Sequence, residues 1–356
     1  MGTDMITSIS YSTDNGSTWE TTDNEDNKEE HLTISVDVSE GDKVLWKGDA
    51  QQLGYYDEND YGDYVGSFFS SDCKFNVQGN VMSMLYGDDF VGEETLEYEG
   101  EFAYLFSDYD ENYECLVVSA EHVILFATTL TAYCYGGMFY GCTGLTTAPE
   151  LPATTLANSC YSNMFDGCTS LTTAPELPAT TLTDSCYYCM FRDCTSLATA
   201  PELSATTLAS NCYAGMFQAC TSLTTAPELP ATTLANFCYS VMFYGCTSLT
   251  TAPELPATTL VDGCYQNMFN GCTSLTEAPE LQATTLARHC YNGMFKGCTS
   301  LNSITCLATN VSASNCTTDW VYGIAASGTF TKSSNMTGWT TGNNGIPSGW
   351  TVQDAA

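Results

Sequence analysis

Basic residues are scarce. Only 8 Lys and Arg stand against 42 Asp and Glu in 356 residues, a formal net charge of −34. Nucleic-acid backbones are repelled by such a surface, so nucleic-acid binding is excluded as a function class, and anionic membranes are disfavoured for the same reason. Long apolar runs are also missing. None approaches the roughly 20 residues that a bilayer span requires, so no membrane-spanning segment is expected. The opening Met1-Gly2-Thr3-Asp4 lacks the basic-then-apolar order of a signal peptide. Histidine is rare: His31, His122 and His289 lie far apart, with no nucleophile motif near them.

Charge is distributed unevenly. Residues 1–130 hold 29 acids and 4 Lys, and residues 131–356 hold 13 acids and 4 bases. That step falls where the chain becomes repetitive and places a domain boundary near Leu125 to Leu130.

Cysteine is plentiful, and its spacing is the main signal. One series runs Cys134, Cys160, Cys186, Cys212, Cys238, Cys264, Cys290 and Cys316, every 26 residues. A second runs Cys142, Cys168, Cys194, Cys220, Cys246, Cys272 and Cys298 at the same period. The unit reads CYxxMFxGCTSLTTAPELPATTLAxx and recurs without insertion or deletion. Such a unit buries too little apolar surface to offset the entropy of ordering its own backbone. Stacking must supply the rest, so the copies form a solenoid with capped ends.

Within one unit, Cys160, Met164 and Cys168 fall at i, i+4 and i+8, which predicts a helix of two to three turns flanked by Tyr161 and Phe165. Leu171 to Leu177 is Thr-rich and extended, Pro178 makes a corner, and Thr180-Thr181-Leu182 is a second extended piece. The expected fold class is therefore an α+β repeat solenoid, a leucine-rich-repeat coil of 26-residue units. Four regions follow. Residues 1–85 alternate apolar and polar positions, as in Ile6 to Tyr11 and Leu32 to Val38, and read as a β-rich, sandwich-like domain. Residues 86–126 read as a degenerate first repeat that caps the coil, with Phe102 to Phe106 standing where later copies carry Met-Phe. Residues 127–316 are the repeats, and residues 317–356 are a C-terminal cap.

Cysteines eight apart on a helix are about 12 Å apart, and neighbouring helices pack about 8–10 Å apart. Both exceed the reach of a disulfide. Both series therefore read as ladders of buried thiols acting as small apolar groups. The odd total of 19 leaves at least one thiol outside any intramolecular pair. Cys73, Cys115 and Cys306 lie outside both series and receive no role. Cys186-Tyr-Tyr-Cys189 is formally CxxC, but no second such pair completes a zinc site.

Glu150, Glu176, Glu202, Glu228, Glu254 and Glu280 form a ladder of about 4.8 Å per rung. Unit charges so spaced repel by about 0.9 kcal/mol in water, which solvent absorbs. A solvated face is the expectation, with cation capture by this ladder as the alternative. The acidic stretches Asp57 to Asp63 and Asp108 to Glu114 fail as EF-hands: the first has Phe68 at its twelfth place and the second lacks the Gly. No cofactor is expected beyond weak Ca²⁺. The same Glu in the same setting six times is unsuited to acid–base work, which needs two carboxyls in different environments.

The run MFxGCTSL, then LTxAPELP, then ATTLA resembles the BspA-type (Treponema-type) leucine-rich repeats of Bacteroidales surface proteins. The resemblance covers about Phe126 to Cys316 and extends to Gly41–Gly48 and to the tail Gly345–Val352. Ala174 and its equivalents replace a larger aliphatic, and no Asn ladder is present. The resemblance implies a non-enzymatic adhesion or binding protein, extracellular or on a bacterial cell surface, recognising a protein or glycan ligand on host or neighbouring cells. A carbohydrate-binding or phage-displayed receptor-recognition protein is the alternative, and a polysaccharide-active enzyme comes last. Positions that vary between copies mark the expected contact surface: Ser162, Asn163, Tyr188, Asn236, Phe237, Gln266, Asn267, Arg288 and His289. The fixed Thr-rich half is the rival surface.

Overall fold

The computed structural model describes residues 8–23, 34–49, 53–57, 63–66, 69, 71–107 and 115–355. The N-terminal part is β-rich. Strand β1 (Ser8–Ser12) lies between β2 (Glu20–Asp23) and β3 (Leu45–Asp49), antiparallel to both. β4 (Gly54–Asp57) and β5 (Asp63–Gly66) form an antiparallel hairpin. Residues 34–38, expected to be a strand, do not pair, and among the described residues no second sheet packs on the first. The sandwich expectation is therefore not met there.

From β6 (Phe75–Asn80) onward the chain coils. β6 pairs in parallel with β7 (Val117–Ile124), and Ser119 of β7 bridges Thr147. Parallel bridges then join Thr173 to Thr199, Thr225 to Thr251, and Glu277 to Ser303, at steps of 26 residues. Ser303 opens β8 (Ser303–Cys306), which pairs with β9 (Thr329–Lys332), itself parallel to β10 (Thr351–Asp354). The inter-coil ladder thus runs from β6 to β10, past both ends of the sequence repeat. It is thin in the repeats because the Pro of APELP carries no N–H to donate.

The other half of each coil corrects the sequence expectation. No α-helix forms there; among the described residues the only one is α1 (Ser83–Tyr86), before the repeats. The segment is instead a chain of tight turns with a period of four. Ser159, Asn163 and Gly167 all have positive φ (53°, 55° and 77°), and the same three places repeat in every coil. Even-numbered N–H groups close turns onto the residue three back, as Ser162 to Ser159 O and Met164 to Tyr161 O. Odd-numbered ones donate to the next coil, as Tyr161 to Cys186 O, Asn163 to Tyr188 O and Phe165 to Met190 O. Every backbone donor is satisfied by strict alternation, which a helix could not offer to its neighbours. A turn period of four places Cys160, Met164 and Cys168 on the inner side just as a helix would.

The interior is a set of columns along the coil axis. Tyr135, Tyr161, Tyr187, Tyr213, Tyr239, Tyr265 and Tyr291 stack with centroids 5.7 to 6.3 Å apart. Phe139 through Phe295 stack likewise, at 5.6 to 5.8 Å. Phe102 and Phe106 begin these columns, packing on Tyr135 and Phe139. Trp320 ends them, its ring against both Tyr291 and Phe295 and its Nε1 donating to Gly345 O at 2.9 Å.

Fifteen buried thiols share this interior; a sixteenth, Cys189, is buried in the turn half instead. The second series has a polar role besides filling space. Cys194 Sγ donates to Phe165 O at 3.1 Å, and Cys220, Cys246, Cys272 and Cys298 repeat the bond one coil on each time. Burial pushes the thiols of Cys246 and Cys298 up to about 12, so they stay protonated. One member departs from the ladder reading: Cys142 is disulfide-bonded to Cys115, with Cα atoms 4.7 Å apart. The spacing argument considered only pairs within the repeat, and Cys115 lies outside it. Cys306 is buried in β8 and Cys73 is exposed.

Candidate binding surface

The turn half presents three outward columns per coil, four residues apart, separated by the positive-φ positions. The candidate residues divide between these two settings. Ser162, Tyr188, Asn236, Gln266 and Arg288 belong to outward columns, although Ser162 is buried and Gln266 half-buried. Asn163, Phe237, Asn267 and His289 occupy positive-φ positions. There the side chain lies along the stack, over the following coil, and is not simply displayed to solvent.

That geometry couples neighbouring coils. A Cβ built at Gly263 would sit 2.1 Å from the Phe237 ring, and one at Gly293 would sit 2.0 Å from Asn267 Oδ1. Gly137 stands in the same relation to Tyr104, and Gly215 to Cys189. At these four places glycine makes room for the side chain of the preceding coil, whereas Tyr133, Val241 and His289 are followed by Ser159, Asn267 and Asn315. Positions that look freely variable in sequence are therefore partly fixed by their neighbour along the column.

Sequence reasoning missed the third outward column: Tyr140, Asp166, Arg192, Gln218, Tyr244, Asn270, Lys296 and Tyr322. Its signal was the variable place in MFxGC, four residues after the first of the pair following Tyr. Tyr244 and Tyr322 are exposed, and Lys296 Nζ lies 5.6 Å from the Tyr322 ring centroid. Ion pairs run along the columns from coil to coil. Arg192 Nε donates to Asp166 Oδ1 at 3.0 Å, and Arg288 lies 3.6 Å from Asp262. His289 joins the latter pair, its Nδ1 3.4 Å from Asp262 Oδ1 and its Nε2 3.1 Å from Asn315. Three of the four bases after residue 130 thus lie on the turn face.

The extended half has the opposite character. Glu150, Glu176, Glu202, Glu228, Glu254 and Glu280 are all exposed along it. Thr173, Thr199, Thr225 and Thr251 form one exposed row, and Thr181, Thr207 and Thr233 another. Other threonines spend their hydroxyls between coils: Thr195 Oγ1 donates to Thr169 O and Thr273 Oγ1 to Thr247 O. Among the described residues no cluster of three metal-ligating side chains occurs, and no helix is long and apolar enough to cross a membrane. Residues 58–62 and 108–114 of the acidic stretches lie outside the described residues.

One buried carboxyl stands out. Glu101 takes the place in the first thiol column that Cys134 and Cys160 take in later coils, and it is 1% exposed. Burial pushes its pKa up to about 7, against the lowering effect of the Tyr98 and Glu97 N–H groups that bond to Oε1. Oε2 is buried without a hydrogen-bond partner.

The family model for the BspA-type leucine-rich repeat region, in 6 copies, matches residues 131–234 and 213–317. The chain belongs to the BspA-type leucine-rich repeat family. No curated protein and no solved structure matches it. In this BspA-type chain the matched span covers the aromatic columns from Tyr135 to Phe295, and the rings that begin and close them, Phe102, Phe106 and Trp320, lie just outside it. The family match supports a repeat scaffold of the kind that binds proteins.

Proposed function

We propose that this BspA-type chain is a non-enzymatic adhesion or binding protein, extracellular or displayed on a bacterial cell surface, that contacts a protein ligand through its turn face. One observation carries the reading. Interior columns are the same in coil after coil, whereas the outward columns of the turn half change and place Tyr188, Tyr244, Tyr322 and Arg288 in solvent. Exposed Tyr and Arg are the side chains most favoured at protein interfaces, since each offers large contact area together with directional polar groups. A repeat surface tuned in this way suits recognition more than chemistry.

A glycan ligand on the extended half is the second reading, favoured by the two exposed threonine rows at one hydroxyl per coil. A single binding experiment separates the two. The fluorescently labelled chain is applied to epithelial cells, to extracellular-matrix proteins and to a glycan array, beside a Tyr188→Ala/Tyr244→Ala/Arg288→Ala variant and a Thr173→Val/Thr199→Val/Thr225→Val variant. Retention on protein or cells lost only in the first variant supports the turn face. Glycan binding lost only in the second overturns it.

A further inference from the structure

Positive charge on this chain is rare, and half of it past residue 130 is neutralised. The bases there are Arg192, Arg288, Lys296 and Lys332. Arg192 donates to Asp166 of the neighbouring coil and also faces Asp193, and Lys332 is bonded to Asp354. The other two differ. Arg288 lies 3.6 Å from Asp262 Oδ2, too far for a hydrogen bond, and its side chain is 63% exposed. Most of its five N–H donors are therefore left to solvent. Lys296 pairs with no carboxylate among the described residues; its ammonium lies 5.6 Å from the centroid of the exposed Tyr322 ring.

The surroundings leave this charge unopposed. Arg288 and Lys296 belong to one coil, in its first and third outward columns. From Gly263 to Thr318 the turn half carries no acid, since Glu277 and Glu280 of that stretch lie on the extended half. Asp262, which bounds the stretch, is already shared by Arg288 and His289. The acid-rich residues 1–130 lie towards the opposite end of the tyrosine column, six steps of 5.7 to 6.3 Å away. Salt at physiological strength screens exposed charges over about 8 Å, so those distant acids weaken a charge contact here very little.

We infer, resting on the turn-face reading above, that this end of the turn face holds an acidic segment of the protein partner. The planar fork of Arg288 takes one carboxylate, Lys296 meets a second, and Tyr322 supplies contact area beside it. An acidic segment is repelled by the rest of a surface whose net charge is −34, so the patch also fixes where along the solenoid the partner settles.

The test applies the full chain, fluorescently labelled, to an array of random dodecapeptides at 50 and 300 mM NaCl. Arg288→Gln/Lys296→Gln and Lys296→Gln are run beside it. The single variant breaks no ion pair and decides the matter if the double variant does not fold. The expected result is a set of Asp- and Glu-rich peptides whose signal falls about tenfold in the double variant and at the higher salt, and several-fold in Lys296→Gln. Acidic peptides held equally by wild type and variants overturn the inference, as does a wild type that holds no acidic peptide. A sialylated glycan bound at Arg288 and Lys296 in their place overturns it too. The wider reading is separable. Retention on matrix proteins that needs Tyr188 and Tyr244 but is unchanged in the double variant sinks the acidic partner alone. Acidic peptides bound through Arg288 and Lys296, with no retention on cells or matrix, support the patch while the wider reading falls.

Discussion

Replacing Gly263 by Asn reports whether neighbouring coils touch along the positive-φ columns. Asn is the side chain best tolerated at positive φ after glycine, so the substitution adds bulk with little backbone strain at the 60° found there. A Cβ at this place lies 2.1 and 2.3 Å from two carbons of the Phe237 ring, far inside van der Waals contact. The ring must turn aside or the coils must part, and overpacking of this kind costs about 2 kcal/mol. Removing the ring first, with Phe237→Ala, opens the space. The cost of Gly263→Asn then falls to a few tenths of a kcal/mol, a coupling of about 1–2 kcal/mol between the two sites. Urea unfolding of the wild type, the two single variants and the double variant, followed by circular dichroism, closes the cycle. Additive effects, with Asn equally costly whether or not Phe237 is present, refute the column coupling and with it the reading of these positions as only partly variable.

Three further outcomes follow from the interior and the acidic face. Glu101 is protonated in the fold up to about pH 7 but ionises near 4.5 when unfolded; stability therefore falls as pH rises from 4.5 to 7 and is level above that. Glu101→Gln removes this slope and stabilises the chain above pH 7 by about 3 kcal/mol, read from urea midpoints between pH 4 and 8. Cys246→Ala removes the donor to Phe217 O and lowers stability by about 1 kcal/mol, whereas a variant as stable as the wild type reduces the thiol column to mere space-filling. The exposed glutamate ladder is solvated, so titration with calcium to millimolar levels leaves the melting temperature unchanged; a rise of several degrees assigns it a cation.

The repeat and its interior were legible because burial follows residue type at a fixed period. Cys, Tyr, Met, Phe and Leu recur at constant offsets, and every Met and Phe so placed is buried. The local conformation was not legible from spacing, since an α-helix and a chain of four-residue turns both bring Cys160, Met164 and Cys168 to one side. Glycine and asparagine hold the answer: Gly137 with Gly141, Asn163 with Gly167, and Gly293 with Gly297 recur every fourth residue at positive φ, where a helix would be weakened. Of the positions picked out by variation between copies, Tyr188 and Arg288 stand exposed in outward columns, but Phe237 and His289 occupy positive-φ places and lie against the neighbouring coil. Tyr244 and Tyr322 were passed over because a single variable place between Phe and Gly draws less notice than a pair. The disulfide was hidden because Cys142 is indistinguishable from its column and its partner precedes the repeat.

Stacking of equivalent coils in register is tested most directly by removing one coil. Deletion of residues 183–208 takes out a full period of 26, joining Leu182 to Ala209 so that every column stays aligned. Deletion of half that length puts turn residues against extended ones. Thermal unfolding followed by circular dichroism is expected to show the full-period deletion folding cooperatively, with a melting temperature within a few degrees of the wild type, and the half-period deletion failing to fold. Equal damage from both deletions contradicts the stacked-coil account.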